Sequence, residues 1–269
     1  MLQQVSVPTD VGEALAHLAR DPAAMLLAGG TLLMPAVNTE TTGITSLIST
    51  RRLGLDDIAV DGDRATIGAA VTLADIGTTD RLAFLRPVTD SIASPPIRSL
   101  ATVGGNLFAW QPYGDFAVAL LALDAVVRIA GDGGLRQAPV AEVLEGGVAP
   151  GELVTAVQFT IPESGTWFYT KAMRRRLNSA AIVTVAAVVS QSDGAVSTAR
   201  IALGGAGPRP LRARSVEAVL LGKPLDPASV AAAAQRAVDD AAPFSDAYAS
   251  AWYRARVLPV HIRRAILGE

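Results

Sequence analysis

The sequence of 269 residues has no cysteine and only two histidines, His17 and His261. The first absence excludes a disulfide, a thiolate nucleophile, a cysteine-ligated zinc and an iron–sulfur cluster held by this chain itself. The two histidines lie far apart, one in an early helical segment and one in the last helix, so no metal site is expected. Long apolar runs are missing as well. The longest candidate, residues 180–189, is too short to span a bilayer, and no membrane insertion is expected. The start, Met1-Leu2-Gln3-Gln4, lacks the basic-then-apolar pattern of a secretory signal, which makes a cytoplasmic location the expectation. Excess charge of one sign is also absent. The 23 Lys and Arg nearly balance the 25 Asp and Glu, which argues against a broad basic surface for nucleic acid. The chain is instead rich in apolar residues, 50% against 18% charged. That composition supports a sizeable core, in one large domain or two modest ones, and excludes global disorder.

Two glycine pairs punctuate the chain: Leu27-Ala28-Gly29-Gly30-Thr31-Leu32 and Thr102-Val103-Gly104-Gly105-Asn106. A backbone without Cβ atoms can approach a ligand closely, and consecutive exposed N–H groups form an anion-binding nest. Glycine-rich turns serve equally as tight connections. Two such loops, both edged by threonine and the second also by asparagine, suggest convergence on one pyrophosphate.

The rest of the chain reads as an α+β protein. Asp10 is placed to cap a helix carrying Val11, Ala14, Leu15 and Leu18, and residues 25–27 form a strand entering the first glycine pair. An apolar run at 32–37 is interrupted by Pro35, and a strand is expected at 45–49. Residues 58–60 and 65–68 flank Asp61-Gly62-Asp63 as a hairpin. Thr72 can cap a short helix, and a helix over 86–93 should stop at Pro95-Pro96. Residues 115–123 are apolar enough for either a helix or a strand, and a strand is expected at 125–129, before the turn Asp132-Gly133-Gly134. Apolar segments at 140–143 and 152–161 complete the first half. Beyond Pro162-Glu163-Ser164-Gly165 come three strands, at 167–173, 182–190 and 198–203. They are followed by helices over 229–241, with Asp226-Pro227 as cap and first residue, and through Trp252 to Leu267. A first domain over 1–162 and a C-terminal domain over 163–269 follow from this layout.

The second glycine segment is embedded in Ser94-Pro95-Pro96-Ile97-Arg98-Ser99-Leu100-Ala101 and followed by Pro112-Tyr113-Gly114-Asp115. With Ile67-Gly68-Ala69-Ala70-Val71-Thr72-Leu73, Glu152-Leu153-Val154-Thr155-Ala156-Val157 and Tyr169-Thr170-Lys171-Ala172-Met173-Arg174-Arg175-Arg176, it resembles the FAD-binding subunit of the molybdenum hydroxylases. Xanthine dehydrogenase, carbon monoxide dehydrogenase and nicotine dehydrogenase belong to that family. The resemblance covers essentially the whole chain. It implies a two-subdomain FAD-binding domain of the vanillyl-alcohol-oxidase-like type, followed by a three-stranded antiparallel sheet with helices. By resemblance, Ala28, Gly29, Gly30, Thr31 and Leu32, with Thr102, Gly104, Gly105 and Asn106, wrap the FAD pyrophosphate through backbone N–H groups. Asp115 and Lys171 match positions that contact the cofactor, and Val154 matches an apolar position beside the flavin. The plain alternatives are a helix cap for Asp115, core for Val154, and a solvated basic face for Lys171 with Arg174 to Arg176. Trp110 follows the second motif closely, whereas Trp167 and Trp252 read as core or interface residues.

Two departures stand out. Leu32 occupies a place that is usually polar, and Ser179 a place where a large apolar side chain usually covers one face of the flavin. The implied function is that of an oxidoreductase subunit, a flavoprotein without a catalytic acid or base of its own. It passes electrons from a [2Fe-2S] subunit, fed by a molybdenum cofactor subunit, through FAD to a terminal acceptor. The departures keep open a free-standing FAD-dependent oxidoreductase without those partners, and a scaffold that no longer binds FAD.

Overall fold

The computed structural model describes residues 2–39, 43–175 and 178–268. They form two compact units. The first comprises 1–83, 95–109 and 126–159, and the second 84–94, 110–125 and 160–269. Two segments of the second unit, 84–94 and 110–125, therefore precede residue 160 in the chain.

The first unit holds two sheets. Strands β1 (Gln4–Ser6), β2 (Met25–Leu27) and β3 (Ser46–Ser49) form a parallel sheet in the order β1-β3-β2. Parallel neighbours need a crossover, and the helix Val11–Arg20 follows β1. Asp10 caps it, accepting the Glu13 N–H at 2.8 Å. Its buried residues Ala14 and Leu18 pack with Ala24, Ile48, Leu53 and Leu153. The interrupted run at 32–37 proves to be the helix Leu33–Asn38. Pro35 is tolerated there because the first-turn N–H groups have no intrahelical partner to lose.

The second sheet of this unit is built from β4 (Ile58–Asp61), β5 (Arg64–Gly68), β6 (Val126–Gly131), β7 (Gly134–Pro139) and β8 (Leu153–Thr160), in the order β4-β5-β8-β6-β7. Arg128 on β6 faces Ala156 on β8 whereas Ile129 faces Val154, so Thr155 is the extra residue of a bulge. The displaced Thr155 carbonyl accepts the Ala69 N–H at 2.9 Å.

The second unit carries a four-stranded antiparallel sheet in the order β12-β11-β10-β9, from β9 (Trp167–Met173), β10 (Ala181–Ser192), β11 (Ala195–Gly204) and β12 (Leu211–Arg212). The expected count of three is thus corrected to four. The added strand has two residues, paired as Ala202 with Arg212 and Leu203 with Leu211, too short to show any alternation. Val183, Val185, Ala187, Ile201 and Leu203 of the sheet pack with Val216, Val230, Leu258 and Ile262 of the helices.

Three helical expectations change in detail. The helix over 229–241 is two pieces, Pro227–Ala234 and Ala237–Asp240, because the Arg236 N–H bonds back only three residues, to Ala233. The helix over 86–93 ends at Ser91, and Pro95 opens a short helix, Pro95–Arg98, instead of only closing the previous one. The ambiguous run at 115 is the helix Asp115–Ala122, buried at every residue.

Arg254, which no sequence pattern singled out, is fully buried in the last helix, Ala251–Leu267. Its guanidinium donates to the carbonyls of Ile182 and of Ala181 (3.2 Å), donates to Asp246 at 2.7 Å, and lies 4.7 Å from the centre of the Phe244 ring. Burial pushes the Asp246 carboxyl up. The N–H groups of Ala249 and Tyr248 and the Arg254 guanidinium outweigh it and hold the carboxyl below its ordinary 3.8. Arg254→Ala orphans two carbonyls and a carboxylate, and should cost about 3 kcal/mol or more in chemical denaturation. A folded-state pKa below the unfolded value gives stability that is present above the unfolded pKa and lost as pH falls through the folded one. Asp246→Asn should therefore flatten the acid limb of the stability–pH curve below about pH 4.

Candidate functional site

The first glycine motif lies where β2 ends and the chain turns into the helix Leu33–Asn38. Gly30 has φ +68, a left-handed conformation that favours glycine, and its carbonyl accepts the Met34 N–H at 2.9 Å. Among the described residues, no acceptor engages the backbone N–H groups of Gly29, Gly30, Thr31 or Leu32. Successive open N–H donors in a turn are able to form an anion-binding concavity. At Leu32 the donor available to a ligand is the backbone, since its side chain has none.

The second motif is built differently. Thr102 caps the helix Val103–Leu107, and its hydroxyl accepts the Gly105 N–H at 3.1 Å. The N–H of Val103 bonds Val71 at 3.0 Å, that of Gly104 bonds Ala69 at 2.8 Å, and that of Asn106 bonds Thr102 at 2.9 Å. The expectation that both motifs offer backbone N–H groups to a ligand is therefore corrected for residues 103–106, whose N–H groups are satisfied within the chain. The second motif can offer side chains and a close-approach surface.

The structure brings the two motifs together. A Cβ on Gly29 would lie 1.8 Å from the Leu100 carbonyl oxygen, so the first motif rests directly on the backbone leading into the second. A Cβ on Gly105 would lie 3.7 Å from the Ala28 Cβ and 3.1 Å from the Thr102 hydroxyl. Ala69 ties this arrangement to the sheet. Its N–H bonds the bulged Thr155, and its carbonyl accepts from Gly104. The Leu73 N–H bonds Ala101 at 2.9 Å, and Thr72 bridges Thr102. Thr72 and Asp75 form a reciprocal capping box that fixes the start of the helix Leu73–Thr78. Val154 immediately precedes the bulge and is buried.

The second unit holds Asp115 and Lys171, which pair with each other. The Lys171 ammonium lies 2.8 Å from the Asp115 carboxylate, with 3% and 4% of the respective side chains exposed. Lys171 also donates to the Ser91 carbonyl at 2.9 Å, and the Thr184 hydroxyl donates to Asp115 at 2.5 Å. The Tyr169 hydroxyl lies 2.8 Å from that of Ser91. Burial and the Asp115 carboxylate push the Tyr169 phenol well above its ordinary pKa. Lys171 is thus separate from the exposed Arg174 and Arg175, which bond the carbonyls of Ala247 and Asn178. Arg176, the last of that run, lies outside the described residues.

Ser179 is buried, and its hydroxyl donates to the Ala180 carbonyl. Trp110 is exposed and stands edge-on to Tyr113. The hydrogen bond of Tyr113 to Tyr248, followed by burial, pushes the Tyr113 phenol up to about 12. His17 lies 3.9 Å from Glu13. Burial and the nearby Arg264 hold His261 below its ordinary pKa. Sequence reasoning placed Ala69, Leu100 and Thr155 within the family motifs but assigned them no role, because their contributions are backbone carbonyls and N–H groups that no side-chain pattern marks.

The profile of the family described as "FAD binding domain in molybdopterin dehydrogenase" matches residues 2–164. That described as "CO dehydrogenase flavoprotein C-terminal domain" matches residues 168–268. The carbon monoxide dehydrogenase medium chain of Afipia carboxidovorans is 30% identical over 269 residues, covering 96% of this chain and 93% of its own length. Among solved structures, carbon monoxide dehydrogenase from Hydrogenophaga pseudoflava aligns with a TM-score of 0.94 at 29% identity, over 99% of this chain and 96% of its own. Quinoline 2-oxidoreductase from Pseudomonas putida 86 aligns with a TM-score of 0.91 at 27% identity, over 100% and 96%.

The two glycines should respond differently to a single methyl group. Gly29→Ala drives a Cβ into the Leu100 carbonyl and should lower unfolding stability by about 2–3 kcal/mol or more. Gly105→Ala displaces its neighbours by tenths of an ångström and should cost less than about 1 kcal/mol. Chemical denaturation of the two variants checks the ordering.

Proposed function

We propose that this chain, which belongs to the family of FAD-binding domains of molybdopterin dehydrogenases, is the FAD-carrying electron-transfer subunit of a molybdenum hydroxylase complex. The observation that carries the reading is the row of open N–H donors at residues 29–32, set against the small-residue surface of Ala28 and Gly105. A pyrophosphate needs such donors and such an approach, so the residues fit FAD. FAD, when bound, supplies the redox chemistry, accepting electrons and releasing them to an acceptor.

The chain binds and orients it. Gly29, Gly30, Thr31 and Leu32 hold the pyrophosphate through their backbone. Thr102 and Asn106 contribute the polar edge of the second motif, Gly105 keeps that edge free of a side chain beside Ala28, and Gly104 lets it rest against Ala69. Val154 supplies an apolar wall. Asp115 and Lys171, held by their mutual ion pair, are the further positions assigned to cofactor contact. The functional division falls into an FAD-binding domain, 1–162, of the vanillyl-alcohol-oxidase-like type, and a C-terminal flavoprotein domain, 163–269, built on the three longer antiparallel strands with their helices.

Electrons reach this flavin from elsewhere. With no cysteine, the chain cannot ligate an iron–sulfur cluster. The [2Fe-2S] centres and the molybdenum cofactor therefore belong to partner subunits. No helix among the described residues is long and apolar enough to cross a membrane, and we place the complex in the cytoplasm.

Gly105→Val should give folded protein with far-UV circular dichroism like the wild type but little bound FAD. Stoichiometric flavin in that variant would contradict the assignment of the second motif. Native mass spectrometry of the complex from its source should show two further subunits. Oxidation of a physiological substrate by the isolated flavinated chain at a competent rate would contradict the subunit reading.

A further inference from the structure

The five-stranded sheet of the first unit carries a cleft of about 590 Å³ that includes none of residues 28–32 or 102–106. Asp57, Thr66, Arg128, Leu135, Arg136 and Gln137 line it. Two arginines face this space in different states. Arg136 is engaged by Glu152 through two hydrogen bonds of 2.6 Å. Arg128, on β6 opposite Gln137 of β7 and Ala156 of β8, has no hydrogen-bond or ion-pair partner for its guanidinium among the described residues, and its Nε is buried. Asp57, the carboxylate of the cleft, is not paired with it. A partly buried guanidinium without an acceptor is costly, and a carboxylate offers it a bidentate partner. At the rim, Leu135 is 80% exposed. Its strand, β7, is the outer strand of the sheet and leaves the cleft approachable from that side.

We propose that this cleft is a docking site for an acidic segment of a partner subunit, which sets a carboxylate on Arg128 and an apolar side chain against Leu135. The proposal rests on the reading of the chain as one subunit of a complex. Complementarity selects this occupant. The unpaired cation calls for an anion and the exposed leucine for an apolar group, and a small free anion would supply only the first.

The test uses the complex assembled with its partner subunits. Arg128→Gln should weaken partner binding about tenfold or more and flatten its salt dependence. FAD content and thermal unfolding of the isolated chain should stay at wild-type values. Arg128→Lys should recover part of the binding. Leu135→Ser, at a position outside the core, should weaken assembly by a smaller factor. Equal assembly of the wild type, Arg128→Gln and Leu135→Ser would overturn the docking site. Stabilisation of the isolated chain by inorganic phosphate, abolished in Arg128→Gln with assembly unchanged, would overturn it in favour of a small-anion site. A wild-type chain that binds no partner would overturn the subunit reading, and the docking site with it.

Discussion

The close approach of Gly29 to the Leu100 carbonyl is the contact on which the arrangement of the two motifs depends. At that separation no side chain fits, since a Cβ would sit 1.8 Å from the oxygen. The contact sets the turn after β2 against the segment that enters the second glycine motif. From there the order spreads through backbone hydrogen bonds, with Leu73 to Ala101, Val103 to Val71 and Gly104 to Ala69 fixing the second motif. Ala69 in turn hangs from the bulged Thr155 of β8. A bulge re-aims one carbonyl out of a regular ladder, and here that carbonyl ties the five-stranded sheet to the motif. The result is a division of labour: the first motif keeps its N–H groups open, and the second spends its own on holding position.

The second unit relies on buried polar groups that satisfy one another. Asp115 and Lys171 would each be costly to bury alone; as a pair, with Thr184 and the Ser91 carbonyl completing their hydrogen bonds, they are stable at 3–4% exposure. At the start of β10 the terminal nitrogens of Arg254 join the carbonyls of Ala181 and Ile182 to Asp246 on the loop before the last helix, while its buried Nε has no partner among the described residues. Such contacts favour one arrangement because a buried charge left without them is costly.

Much of this was legible in the sequence, and the parts that were not share a cause. Asp10, Thr72 and Asp226 cap the helices expected of them, because a cap is a local pattern of side chain and spacing. The two glycine motifs and their relation to one family were visible because glycine at a close approach leaves a mark in the sequence. The state of the second motif was not visible. Whether its N–H groups are open or bonded depends on Ala69 and Val71, some thirty residues earlier in the chain. The pairing of Asp115 with Lys171 was hidden for the same reason, since each position was singled out separately and only the fold of the second unit joins them. Arg254 sat in an ordinary amphipathic helix, and the two-residue β12 was too short to show a period.

Hydrogen–deuterium exchange of the flavin-free and flavin-loaded chain tests the central claim most directly. The account predicts that the amides of residues 29–32 exchange freely without FAD and become protected when it binds. Those of 103–106, already bonded within the chain, should be protected in both states. Amides 29–32 that exchange equally fast with FAD bound, or protection gained only at 103–106, would contradict it.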